Sequence, residues 1–185
     1  MRIEAFQASN LLSIFELSSN QIQEVKIEDL LGREPIHLDS VNIKGQLSEK
    51  RVLITGAAGS IGSEIVRQVS HFFPSKLILL DQAESPLYDI ENEIKEQFGE
   101  NLCEIVVADV ANISRMENVY NTFRPDVVYH CAAYKHVPIM EDNPSEAILT
   151  NILGTKIMVD LADKYKVDSF VMVSTDKAVN PTNVM

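Results

Sequence analysis

At 185 residues the chain has room for one domain, or one domain with an appendage, and can bury a core without disulfides or metals. Its 45% apolar and 23% charged residues are ordinary for a globular protein, and a formal net charge of -11 leaves no basic footprint for a polynucleotide. A nucleotide is not excluded, because backbone N–H groups at a helix N-terminus bind phosphate locally.

Residues 1–45 carry no sustained periodicity. A short apolar stretch, Leu11–Phe15, gives way to Ser-Ser-Asn, and Gly32 and Pro35 punctuate the next segment. They read as a linker or the tail of an upstream region, with a domain over residues 46–185. Val52-Leu53-Ile54-Thr55 predicts a buried strand. The next helix places Ile61, Ile65, Val66 and Val69 on one face before Pro74. Lys76–Asp81 is the second strand, and a helix with Leu87, Ile90, Ile94 and Phe98 ends at Gly99. Cys103–Ala108 is the third strand. Ser114-x-x-Glu117 reads as a capping box for a helix carrying Met116, Val119, Tyr120 and Phe123. Asp126–Cys131 is the fourth strand. Asn143-Pro144-Ser145-Glu146 opens one long helix with Ile148, Ile152, Val159 and Ala162 inward, and Asp168–Ser174 is the fifth strand. Five apolar strands alternating with helices predict an α/β fold, a Rossmann-like doubly wound parallel sheet.

Cys103 and Cys131 lie in strand-like runs and are expected as free thiols, as in a reducing cytosol. No signal-peptide pattern and no apolar run near the ~18 residues of a membrane span is visible, so a cytoplasmic location is expected. No metal site is expected.

Gly56-x-x-Gly59-x-x-Gly62 falls between a predicted strand and a predicted helix, and that context gives the glycines meaning. Gly56 permits a tight turn, Gly59 lets the backbone approach phosphate and Gly62 lets helix and strand pack closely. Ala58, Ser60 and Ile61 supply the remaining backbone, so a dinucleotide diphosphate meets the positive end of the helix. Asp81, 19 positions after Gly62, can accept from both adenosine ribose hydroxyls and would repel a 2′-phosphate, so NAD is favoured over NADP. Asp109 and Val110, after the third strand, are placed for adenine, though an aspartate there also serves simply as a helix entry. Ala132 and Ala133 complete the expected cofactor set after the fourth strand.

Taken together, Thr-Gly-Ala-Ala-Gly-Ser-Ile-Gly from Thr55, His-Cys-Ala-Ala-Tyr-Lys-His-Val-Pro from His130, Asn151-x-x-Gly154-Thr155 and Ser-Thr-Asp-Lys-Ala-Val-Asn-Pro from Ser174 carry a resemblance. The chain, from about residue 28 to 185, resembles the extended short-chain dehydrogenase/reductase superfamily. Within it, the match is to the polysaccharide-biosynthesis (CapD-like) nucleotide-sugar dehydratases, typified by UDP-N-acetylglucosamine 4,6-dehydratases. The resemblance implies transient NAD-dependent oxidation at sugar C4, loss of water across C5 and C6, and return of hydride to C6. It makes Asp176 the proton donor to the leaving hydroxyl and Lys177 the base at C5; on residue chemistry alone the pair reads as a solvated loop. Thr175 matches a position near the C4 oxygen, Asn151 one that supports a proton relay, or else a helix-packing asparagine. Lys135 and His136 are candidates for the substrate diphosphate or sugar. A nucleotide sugar, UDP-N-acetylglucosamine above all, is the implied partner. The resemblance leaves room for a membrane-anchored parent and a homodimer paired through two helices.

Met185 falls where the superfamily normally has a tyrosine, and methionine cannot ionise. The superfamily's relay lysine would come four positions later, so the reading is of a C-terminally truncated piece, its substrate domain absent, that holds cofactor but turns over poorly or not at all. A nucleotide-sugar 4-epimerase or reductase, and a non-catalytic NAD-binding sensor module, stay open as alternatives. The first needs the catalytic tyrosine and not the Asp-Lys pair.

Overall fold

A computed structural model of the protein describes residues 39–175 and residue 180. These fall within one compact unit that starts at Asp39. Asp39 caps helix α1 (Ser40–Leu47), its carboxylate accepting from the Asn42 N–H at 3.1 Å, and Leu47 is buried. Strands β1 (Arg51–Thr55), β2 (Lys76–Asp81), β3 (Cys103–Val107), β4 (Val127–His130) and β5 (Ser169–Met172) then form one parallel sheet in the order β3-β2-β1-β4-β5. Helices α2 (Ser60–Ser70), α3 (Glu84–Phe98) and α4 (Ile113–Phe123) make the first three crossovers. Between β4 and β5 run α5 (Val137–Asp142), α6 (Pro144–Ala147), a π-helical segment (Ile148–Gly154) and α7 (Thr155–Lys164).

The expected doubly wound sheet is therefore present. Strand alternation sends Val52, Ile54, Leu77 and Leu79 to one face, where Val66 and Val69 of α2 and Leu87, Ile90 and Ile94 of α3 cover them. Leu53, Ile78, Leu80 and Val128 face the other way, under Met116, Val119 and Tyr120 of α4 and Ile157, Met158 and Leu161 of α7. Burial on both faces explains why these strands read as continuous apolar runs. At the amino edge, Asp126 accepts from the Arg51 N–H at 2.8 Å and takes the guanidinium at 3.0 and 2.7 Å, joining the starts of β1 and β4.

Four local expectations are corrected. Asn112, not Ser114, caps α4: its side-chain oxygen accepts from the Arg115 N–H at 3.0 Å, so the helix begins before the supposed capping box. The long helix after Asn143 is present, running without a gap from Pro144 to Lys164, but it contains a π-helical segment, and Asn143 does not cap it with its side chain but donates back to the Ile139 carbonyl at 2.9 Å. Its expected inward face is mostly outward: Ile148, Ile152 and Val159 are exposed, and only Ala162 is buried. The π turn resets the helical phase and turns Thr150 and Gly154 inward instead. In α2, Ile61 is also exposed, and the buried face is Gly62, Val66, Val69 and Ser70. Cys103 and Cys131 are both free, as expected, the first buried and the second half-buried.

Candidate cofactor-binding site

The strand order reverses at β1, with β2 on one side and β4 on the other, which makes the carboxyl ends of β1 and β4 the switch point where such sheets bind ligands. The glycine loop crosses there. Gly56 has φ +66°, and a Cβ on it would lie 2.7 Å from both the Cys131 carbonyl carbon and the Ala132 nitrogen. The glycine therefore serves the tight turn and also lets the loop touch the backbone leaving β4. Gly59 donates to the Gly56 carbonyl at 3.0 Å and occupies the cap position of α2, where no side chain caps the helix. A Cβ on Gly62 would overlap the Gly56 carbonyl oxygen and sit 2.7 Å from its carbon. The first-turn N–H groups of Ser60, Ile61 and Gly62 have no partner one turn back, so they are available to an anion. Ile61 contributes backbone only, its side chain pointing outward.

Asp81 ends β2 at the rim of the same cleft. One carboxylate oxygen accepts from the Ala58 N–H and the other from the Ala83 N–H, each at 3.0 Å. A carboxylate has about four acceptor sites, so two remain for other donors. The cleft is lined by Gly56, Ala58 and Gly59 of the loop, by Asp81, Gln82 and Ala83 after β2, by Asp109 and Val110 after β3, by Ala132, Ala133 and Tyr134 after β4, and by Thr150 of the π segment. Asp109 spends one oxygen on the Ala111 N–H at 2.8 Å, so it shapes the loop before α4 as well as facing the cleft.

The loop after β4 is held in place by Asn151. Its side-chain oxygen accepts from the Tyr134 N–H at 2.9 Å and its amide nitrogen donates to the Tyr134 carbonyl at 3.0 Å. The π turn gives Asn151 this reach. Lys135, next in the chain, directs its ammonium to the Ser60 hydroxyl at 3.2 Å, which brings a cation to the open N-terminus of α2. His136 stands at the cap position of α5 and is exposed. Thr175 is described, three residues beyond the end of β5. Asp176, Lys177 and Met185 lie outside the described residues.

Sequence reasoning did not single out Gln82 or Thr150, and it gave Thr55 and His130, which open two of the quoted motifs, no role of their own. Gln82 donates to the Tyr134 hydroxyl at 3.3 Å across the cleft rim, a pairing separated by 52 positions that no local pattern signals. His130 is buried, with Nδ1 2.7 Å from the Thr55 hydroxyl and Nε2 2.9 Å from the Thr155 hydroxyl. Burial pushes its pKa down to about 4, so it is neutral near pH 7. The folded value lies below the unfolded one, so the protein binds fewer protons folded than unfolded between them. His130 therefore contributes stability fully above about pH 6.5, lost as pH falls toward 4, on the order of 3 kcal/mol. Asp126 and Glu93, held below the usual carboxylate range by the guanidiniums of Arg51 and Arg67, add a further loss that begins only below about pH 5. Melting temperature measured from pH 7 to 4 is expected to fall steeply in the wild type and much less in His130→Gln; parallel curves would contradict this.

The residues fit a dinucleotide diphosphate. Methyl groups at Gly56 and Gly62 would have no room, the helix start carries no side-chain cap, and a carboxylate stands one strand away. This parallel sheet and glycine-lined first crossover define a Rossmann-like domain of the extended short-chain dehydrogenase/reductase kind. More narrowly, the chain belongs to the polysaccharide biosynthesis protein family, which it matches over residues 52–185.

It is similar to the capsular polysaccharide biosynthesis protein CapD of Staphylococcus aureus, 50% identical over 99% of this chain and 31% of that protein. It is also similar to an inverting UDP-N-acetylglucosamine 4,6-dehydratase of Campylobacter jejuni, 34% identical over 73% of this chain and 39% of that enzyme. Among solved structures, Pen from Bacillus thuringiensis superposes with a TM-score of 0.70 at 32% identity, covering 75% of this chain and 43% of that one. The Thermus thermophilus UDP-glucose 4-epimerase in complex with NAD gives 0.57 at 26%, covering 68% and 37%. The chain thus spans roughly three-tenths of the length of CapD. Among the described residues no helix is long and apolar enough to cross a membrane, and no group of metal-ligating side chains is found.

Proposed function

We propose that this chain is the cofactor-binding part of an NAD-dependent nucleotide-sugar 4,6-dehydratase, acting on UDP-N-acetylglucosamine in polysaccharide biosynthesis at the cytoplasmic side. The observation that carries the reading is the glycine cradle closed by the Asp81 carboxylate, with Lys135 drawn to its helix end. Likeness to the Campylobacter dehydratase and to an NAD-bound epimerase supports it. Bound NAD would supply hydride acceptance at sugar C4 and hydride return at C6, so it would be regenerated in each turnover. The chain's own groups do the rest. Asp81 receives the adenosine ribose and disfavours a 2′-phosphate. Asn151 fixes the Tyr134 backbone, and through it Lys135, beside the nucleotide. Thr175 stands near the C4 oxygen. As C4 is oxidised its hydroxyl proton passes to the Asp176 carboxylate. Lys177 takes the acidified C5 proton, Asp176 gives its proton to the C6 hydroxyl as it leaves as water, and Lys177 returns the proton to C5 once C6 is reduced. Met185, in the place of the superfamily tyrosine, keeps that position out of proton transfer. This and the Asp176-Lys177 pair favour a dehydratase over a 4-epimerase.

The test is made in the full-length protein containing this stretch, incubated with UDP-N-acetylglucosamine. The wild type is expected to give a 4-keto-6-deoxy product, and Lys177→Ala to lower its formation by about 10²–10⁴-fold with NAD still bound. Formation of a C4 epimer would establish the epimerase instead. NAD binding without any conversion would establish a binding module.

A further inference from the structure

The cleft walls meet at a hydrogen-bonded chain, buried at Thr55 and His130 and half-buried at Thr155, that none of the proposed chemistry uses. Thr55 and His130 are the last residues of β1 and β4 and are register partners across the parallel ladder. Their side chains meet at 2.7 Å, and the far ring nitrogen of His130 meets Thr155, the first residue of α7, at 2.9 Å. Neither His130 nor Thr155 lines the cleft. Each member stands at the root of a segment that does: Gly56 follows Thr55, Cys131 and Ala132 follow His130, and the π segment with Thr150 ends just before Thr155.

A hydroxyl and a ring nitrogen 2.7 Å apart share one hydrogen. The Thr55 hydroxyl oxygen accepts from the Ala132 N–H at 3.4 Å and keeps its own hydrogen, which can be donated to His130 Nδ1. A neutral imidazole has one donor and one acceptor. With Nδ1 accepting, Nε2 carries the hydrogen and donates to Thr155. All three walls are then tied by bonds of one direction.

The spacing they fix has no slack. A methyl at Gly56 would strike the Cys131–Ala132 backbone, and one at Gly154 would lie 2.7 Å from a Val110 methyl. We infer that His130 is a positioning residue for the cofactor, its Nε2–H tautomer holding the glycine loop, the loop after β4 and the π segment at the separation a dinucleotide requires. This rests on the cofactor reading above.

Thr155→Val tests it, because it removes the distant end of the chain of bonds with little change of shape and touches no cleft-lining residue. NADH affinity, read by fluorescence titration of the full chain, is expected to fall about five- to tenfold in Thr155→Val, the scale of one buried hydrogen bond. Thr155→Ser, which keeps the hydroxyl, is expected to bind within about twofold of the wild type on the same scale. Nitrogen NMR of the wild type should show His130 protonated at Nε2 alone. Undiminished affinity in Thr155→Val, an equal loss in Thr155→Ser, or an Nδ1–H tautomer would each overturn the proposal. The tautomer is read without any variant, so it decides even if Thr155→Val folds poorly. Failure of the wild type to bind NADH would instead overturn the cofactor reading and this proposal with it.

Discussion

Gly62→Ala is expected to destabilise the protein by about 3 kcal/mol or more, the upper end for overpacking. The added carbon would overlap the Gly56 carbonyl oxygen and lie 3.0 Å from the Ala57 Cα. Every atom it meets is backbone, so no side chain can swing away; α2 must lift from β1, or the loop must open. Either movement also spoils the diphosphate cradle, so affinity for NAD should fall with stability. Gly45→Ala is the matched control. A Cβ there meets nothing within 4 Å, on helix α1, and alanine should stabilise by up to about 1 kcal/mol. Chemical denaturation of the two variants reads the contrast directly. A Gly62→Ala protein with the wild-type midpoint would show that the close approach of helix and loop does not exist.

Asp81→Ala is expected to weaken NAD binding by roughly 10²-fold, the scale of losing hydrogen bonds to a charged group. The carboxylate has two tasks on this structure. It ties Ala58 of the glycine loop to the turn after β2, and it presents its remaining acceptor sites to the cleft. Removing it loosens the cradle and deletes the ribose acceptor together. Repulsion of a 2′-phosphate disappears as well, so discrimination between NAD and NADP should narrow. Asp81→Asn sharpens the point, because one of its two ends would then set an NH2 group against a backbone N–H. It should bind little better than the alanine variant. Equal NAD affinity in wild type and Asp81→Ala, measured calorimetrically, would separate Asp81 from the cofactor.

Much of this site could be read before any coordinates, for identifiable reasons. Strands buried on both faces leave continuous apolar runs, so all five were recognisable within about a residue or two of their ends. The glycine spacing and Asp81 report local backbone needs, and Gly56 at φ +66° meets the expected turn. What could not be read depended on phase or on distance along the chain. The pattern Ile148, Ile152, Val159 is helical, but one π turn reverses which side is buried and exposes Ile152 by 63%. Asn112 and Ser114 are equally good caps on paper, and only the fit of the amide oxygen to the Arg115 N–H decides between them. Asn151 was legible as a position of interest, but its partner, the Tyr134 backbone, lies in the loop after β4, which no local pattern links to it. Lys135 reaches Ser60 and His130 reaches Thr55 across 75 positions each, and sheet order, not sequence, makes them neighbours.

The most direct measurement is a crystal structure of the full chain grown with NAD. The diphosphate should lie against the N–H groups of Ser60, Ile61 and Gly62, with a ribose hydroxyl pair on Asp81. NAD seated elsewhere, or an Asp81 that keeps its two backbone partners and meets no ribose, would contradict the account.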